Sequence, residues 1–182
     1  MNRLLARFIQ IVVCLFAAFG GFLKEVAPPA QTNPKFAVGL SSFFVLIVLL
    51  IISAVAKDTR ANKFRKRWIR AGVISFAVAI LAGLLYPLTL NKLTYSYPPS
   101  PEEPTAWRVN GWELTQIAQD FIKENPGNYS PGELELKLPY EEIWTANSVA
   151  QAKMLLIVNY ICLVLAISTA IFCLLEANSR RR

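Results

Sequence analysis

Four runs of apolar residues, each free of internal charge, divide the chain: Phe8–Leu23, Phe36–Ala56, Ala71–Leu90 and Met154–Leu175. About twenty such residues carry a helix across ~30 Å of hydrocarbon, where only a helix satisfies its own backbone within one segment. The first run reaches that length if it begins at Leu4. Arg7 then sits about one turn inside, and its long stem can carry the guanidinium out to the headgroups. The pattern predicts spans over 4–23, 36–56, 71–90 and 154–175, joined by a loop at 24–35, a second at 57–70 and a longer segment at 91–153, with a tail at 176–182.

The long segment has its own periodicities. It opens with Tyr95 and Tyr97, and the proline-rich run from Tyr97 to Pro104 predicts an extended, semi-rigid spacer. Asn110 is placed to cap a helix, with Glu113 three residues on. Leu114, Ile117, Ala118, Phe121 and Ile122 then share one face until Asn125-Pro126-Gly127 ends it. Leu134, Leu136 and Leu138 alternate with Glu135 and Lys137, which predicts a short half-buried strand closed by Pro139. The expected fold is an all-α membrane protein, a four-transmembrane-helix bundle with a small α+β extracytoplasmic insert between helices 3 and 4.

Composition agrees with hydrocarbon as solvent, since 54% hydrophobic against 17% charged residues is too apolar for a soluble domain of 182 residues. The net charge of +7 and pI near 9.5 suggest nucleic acid until the charges are placed along the chain. Arg3, Arg7, Lys57, Arg60, Lys63, Arg65, Lys66, Arg67, Arg70, Arg180, Arg181 and Arg182 face only Asp58 and Glu176, a net +10 on one set of alternate loops. The other set sums to −3. Lysine and arginine gathered on one side mark the cytoplasm, so both termini and the 57–70 loop are expected inside and 91–153 outside. A basic start, an apolar run and small residues at Ala18 and Gly20 also fit a cleaved signal peptide, but a retained span is the preferred reading.

Reactive chemistry is sparse. There is no histidine, and Cys14, Cys162 and Cys173 all fall inside expected spans, which leaves no disulfide framework outside and no familiar metal-ligand set. No cofactor is expected. The sequence carries neither a phosphate-cradling glycine loop nor a nucleophile paired with a base. It also lacks the outward cysteine pairs of membrane thiol oxidants, the first-span carboxylate of small multidrug exporters and the loop cysteines of claudins and tetraspanins. Glu102 with Glu103 and Glu141 with Glu142 read as solvated charge, and Trp107, Trp112 and Trp144 as local core or interface anchors. Asn128-Tyr129-Ser130 fits the glycosylation triplet, of consequence only in a eukaryotic secretory pathway.

Inside the spans, Gln10 and Asn159 are the only strongly polar side chains, and they are read as interhelical hydrogen-bonding groups. Ala71, Ser75, Ala79 and Gly83 recur every four residues, a ridge along which another helix can approach closely. Asn159, Cys162, Ala166, Thr169, Ala170 and Cys173 form a second small-residue stripe. Such stripes serve packing within one bundle or between copies, and two stripes on only four helices leave surface to spare for a homo-oligomer.

The basic loop, KDTRANKFRKRWIR, packs seven cations into fourteen residues. Topology and attraction to anionic lipid explain part of this density. The excess marks Arg60, Lys63, Arg65, Lys66, Arg67 and Arg70 as anchors for lipid or for a cytosolic protein partner, with no direct nucleic-acid binding expected. The layout, with KFRKRW at 63–68 and a folded insert before the last helix, resembles the small membrane subunit of the bacterial Kiwa anti-phage system. That resemblance implies an inner-membrane oligomer that detects phage or membrane perturbation and holds a cytosolic DNA-binding effector. The expected function is therefore a non-enzymatic sensor and recruiter. The alternative is a pore-forming or membrane-disrupting effector, with Gln10, Ser75 and Asn159 facing a shared lumen.

Overall fold

The structure is a computed structural model that describes residues 34–58, 64–97 and 106–179. In chain order the elements are α1 (Pro34–Asp58), α2 (Arg65–Leu93), β1 (Thr94–Tyr97), β2 (Ala106–Val109), α3 (Gln116–Glu124), α4 (Pro131–Glu135), α5 (Tyr140–Ile143) and α6 (Ala146–Ser179). The chain is mostly helical, and α1, α2 and α6 are long and apolar enough to cross a membrane. Four spans were expected and three stand among the described residues. The first, 4–23, lies outside them, as do most of the 24–35 loop, Arg60, Lys63, the proline run at 98–104 and Arg180–Arg182.

The helices outrun their apolar runs. At 29 residues α2 is ~43 Å long, well beyond a ~30 Å hydrocarbon layer, so its basic first turns and Lys92 extend past the apolar stretch at either end. Nothing in a cationic helix end breaks the backbone pattern. Lysine and arginine are good helix formers, and helical ends keep backbone polar groups paired as the chain leaves the bilayer.

Contacts divide the described chain into two compact units, one from Pro34–Gly83 together with the residues from Tyr160 onward, the other from Leu84–Asn159. In the first unit, α1 buries Ala37, Ser41, Val45 and Leu49, a stripe at intervals of four. The side chain of Ser41 hydrogen-bonds the Tyr160 hydroxyl and donates to the carbonyl of Val38 at 2.9 Å. α6 is the hub: Tyr160, Leu163, Val164, Ala166, Ser168, Ala170, Phe172, Cys173 and Ala177 are all buried, on more than one side of the helix. α2 meets it through Gly72, where a Cβ would lie 3.0 Å from Leu174 and 3.4 Å from the Cβ of Cys173. Its remaining faces are bare, with Ile74, Phe76, Ile80 and Leu81 between 52% and 64% exposed. Open apolar surface on this scale agrees with the length and composition that fit α2 to cross a membrane.

The second unit is the insert with the helix ends that carry it. β1 and β2 pair antiparallel, with Thr94 opposite Val109, Tyr95 opposite Arg108 and Ser96 opposite Trp107. Val109 packs with Leu93, Ala152 and Leu156 in one buried cluster against which Leu90 also rests. This seats the root of the hairpin on the ends of α2 and α6. The short bridge between Leu114 and Trp144 ties the chain before α3 to the chain before α6, through Thr115 N to Ile143 O and Thr145 N to Glu113 O, both 3.0 Å.

Two local expectations are corrected. The strand over Leu134, Leu136 and Leu138 does not form. Ser130 and Glu133 make a reciprocal capping box with Pro131 in the first turn, and that box starts α4 through Glu135. The exposed Glu133 carboxylate is held below its usual pKa by the backbone hydrogen bond from Ser130, then by the Ser130 hydroxyl. The expected cap at Asn110 also fails. Thr115 caps α3 by accepting from Ala118 N at 3.2 Å, while Asn110 closes α2, donating its backbone N–H to Leu93 O at 3.0 Å and its side-chain amide to Lys92 O at 3.2 Å. The helix end near Asn125 falls where Asn125-Pro126-Gly127 placed it.

Candidate functional site

The basic surface survives as the first turns of α2. Lys66, Arg67 and Arg70 are exposed and Arg65 is partly buried, while Arg60 and Lys63 lie outside the described residues. The Arg67 guanidinium sits 5.1 Å from the centroid of the Phe64 ring, which gives one cation a fixed aromatic platform. Lys66, Arg67 and Arg70 make no ion pair among the described residues. Cations at a helix amino terminus also face the positive end of the helix dipole. Helix stability alone disfavours this arrangement, and an anionic surface laid against it would be welcome.

The small-residue positions separate into two groups. Ala79, Ala166 and Ala170 are buried, and Ser75, Gly83 and Asn159 are partly covered. Gly83 has Leu163 within 3.7 Å of an added Cβ. Ala71 and Cys162 are exposed. Among the described helical glycines the tightest contact with a neighbouring helix falls one residue from the expected ridge, at Gly72 against the Leu174 side chain, and a glycine inside an apolar helix was the available signal. In the other unit the Asn159 amide donates to the Thr89 hydroxyl at 3.3 Å, an interhelical bond of the kind its position suggested.

A polar cluster that the sequence did not announce holds the insert together. Glu135, whose side chain is 4% exposed, accepts from the Tyr95 hydroxyl at 2.7 Å and pairs with Arg108. Arg108 lies over the ring of Tyr140 at 5.5 Å, and the Tyr140 hydroxyl donates to Val109 O at 2.6 Å. Burial raises the Tyr140 pKa above the ordinary phenol value, against the lowering pull of Arg108. That phenol therefore keeps its proton, and with it the bond to Val109, through the neutral range. Arg108 and Glu135 cover each other's charge, so the cluster is a structural tie between the hairpin, α4 and α5 rather than an open receptor for an ion.

Among the described residues no group of three or more histidine, cysteine, aspartate or glutamate side chains could hold a metal ion. Trp107, Trp112, Ile117 and Leu136 leave apolar surface open on the insert, each more than half exposed. Neither a protein-family model nor a curated protein nor a solved structure matches the chain.

Proposed function

We propose that this chain is a non-enzymatic, multi-pass membrane subunit with both termini in the cytoplasm, whose outer insert binds or senses and whose inner face recruits a soluble partner. The single observation that carries the reading is the exposed group of Lys66, Arg67 and Arg70 at the start of α2, which make no ion pair among the described residues and lie at the end of a helix long and apolar enough to span. The positive-inside distribution supports a cytoplasmic place for that group. Its chemistry selects a protein with an acidic face, and charges in such an interface govern association rate and partner choice. The layout's resemblance to the small Kiwa membrane subunit adds a DNA-binding effector of an anti-phage system, bound at a bacterial inner membrane, as the partner to look for.

Charge reversal tests this. Lys66→Glu, Arg67→Glu and Arg70→Glu together are expected to lower recovery of the co-purified soluble partner at least tenfold in mild detergent, with the outside location of the insert checked in parallel. Retention of a partner at wild-type levels after reversal contradicts recruitment through this surface. Ion flux from vesicles containing the purified chain alone would support a pore instead.

A further inference from the structure

We propose that the open end of the β1–β2 hairpin face, beyond the buried Val109, is a bilayer-contact surface, with the Trp107 indole seated in the phospholipid headgroup layer of the outer leaflet and Lys92 reaching the lipid phosphates. This rests on reading α2 and α6 as spans.

Strand alternation fixes which side of the hairpin is involved. Tyr95 and Arg108 share one face, and Glu135 of α4 and the Tyr140 ring of α5 cover it. Trp107 and Val109 share the other. Val109 is fully buried against Leu93, the last residue of α2, and against Ala152 and Leu156 of α6. That second face is therefore directed at the helix ends. Two residues farther along the strand, Trp107 is 53% exposed.

Lengths place it in depth. Twenty residues of helix rise ~30 Å, so with Arg70 at the inner boundary of the hydrocarbon, Leu90 reaches the outer one. Leu90 packs on the same cluster as Val109. Trp107 lies two strand residues from Val109, at most about 7 Å away along the strand, and the headgroup layer is itself roughly 5–8 Å deep. An indole there keeps its apolar body against acyl chains and its N–H among hydrated headgroups, whereas the same ring in water gains neither. Lys92, exposed on the last turn of α2, has a long stem that can lift its ammonium into the phosphate layer at the same level. An indole beside an ammonium at one depth matches a phospholipid surface.

The test compares the full chain with its Trp107→Phe variant, a change at an exposed ring that leaves the buried Val109 contacts and the Glu135–Arg108 pair intact. Both are reconstituted in phosphatidylcholine vesicles that carry bromine either near the carbonyl end or near the methyl end of the acyl chain. The emission lost in Trp107→Phe should be quenched by shallow bromine more than twice as strongly as by deep bromine. Aqueous iodide should quench it several-fold less than free N-acetyltryptophanamide. Full iodide quenching with no response to either bromolipid overturns the proposal and leaves the face for a soluble ligand. Protection from both quenchers also overturns it, and points to a second copy of this chain. A bimane label on the exposed Cys162, with Cys14 and Cys173 replaced by alanine, reports the spans separately. Deep bromine quenching that label while sparing Trp107 rejects only the contact surface. A label quenched by iodide rejects the spans.

Discussion

Arg108→Ala should destabilise the insert by about 3 kcal/mol, because it leaves the Glu135 carboxylate buried with the Tyr95 hydroxyl and no positive partner. Breaking a buried pair from one side costs roughly 3–5 kcal/mol, and the 29% exposure of the Arg108 side chain puts this case at the lower end. The reverse change is milder. Glu135→Leu leaves an arginine that can turn toward water, and the expected loss is about half as large. Arg108→Met combined with Glu135→Leu removes both charges and keeps the volume, so most of the stability should return. Pulse proteolysis of the insert across a urea series reads all three. A loss below about 0.5 kcal/mol for Arg108→Ala would mean that the pair is solvated and that the hairpin is held by the Val109 cluster alone.

The second large effect is expected at Gly111. A Cβ there would fall 2.2 Å from the Ser148 hydroxyl oxygen, 3.2 Å from the Cβ of Trp144 and 3.3 Å from that of Ser148. The hydroxyl is held in place by the carbonyl of Thr145 at 3.0 Å and that of Glu113 at 3.4 Å. Gly111→Ala must turn Ser148 out of those bonds or push the loop away from the first turn of α6, at about 2 kcal/mol. Adding Ser148→Ala removes the nearest clash and should recover roughly half of the loss in the same proteolysis assay. No recovery would place the strain at Trp144 instead.

The sequence and the structure agree where one physical term dominates and part where several compete. Apolar runs marked α1, α2 and α6 because lipid leaves a backbone few alternatives to a helix. Helix α3 was legible from Ala118, Phe121 and Ile122, which are covered, whereas Leu114 falls before the helix and Ile117 is left exposed. Its cap was not legible, since Asn110 and Thr115 can both serve and only the contact of Asn110 with the end of α2 decides. Leu134, Leu136 and Leu138 alternate as a strand would. The capping box at Ser130 and Glu133, with Pro131 inside it, was the stronger signal and was written in the chain. Thr94–Tyr97 and Ala106–Val109 carry β-forming residues on either side of the proline run, but each is only four residues long, too short for alternation alone to mark a strand. Glu135 was beyond reach, because its partners lie 27 and 40 residues away and its neighbours suggest only an exposed acid. Of the candidate surface, the density of charge at Arg65–Arg70 was legible. Which cation rests on an aromatic ring was not, because that depends on the turn from which α2 begins.

The central claim is that the insert and the basic start of α2 lie on opposite sides of one membrane. A single cysteine placed at the exposed Asn128, and in a separate chain at the exposed Lys66, tests it with a membrane-impermeant maleimide applied to cells with an intact inner membrane. Asn128→Cys should be labelled at once and Lys66→Cys only after the membrane is opened. Labelling of both before opening, or of Lys66→Cys alone, would contradict the account.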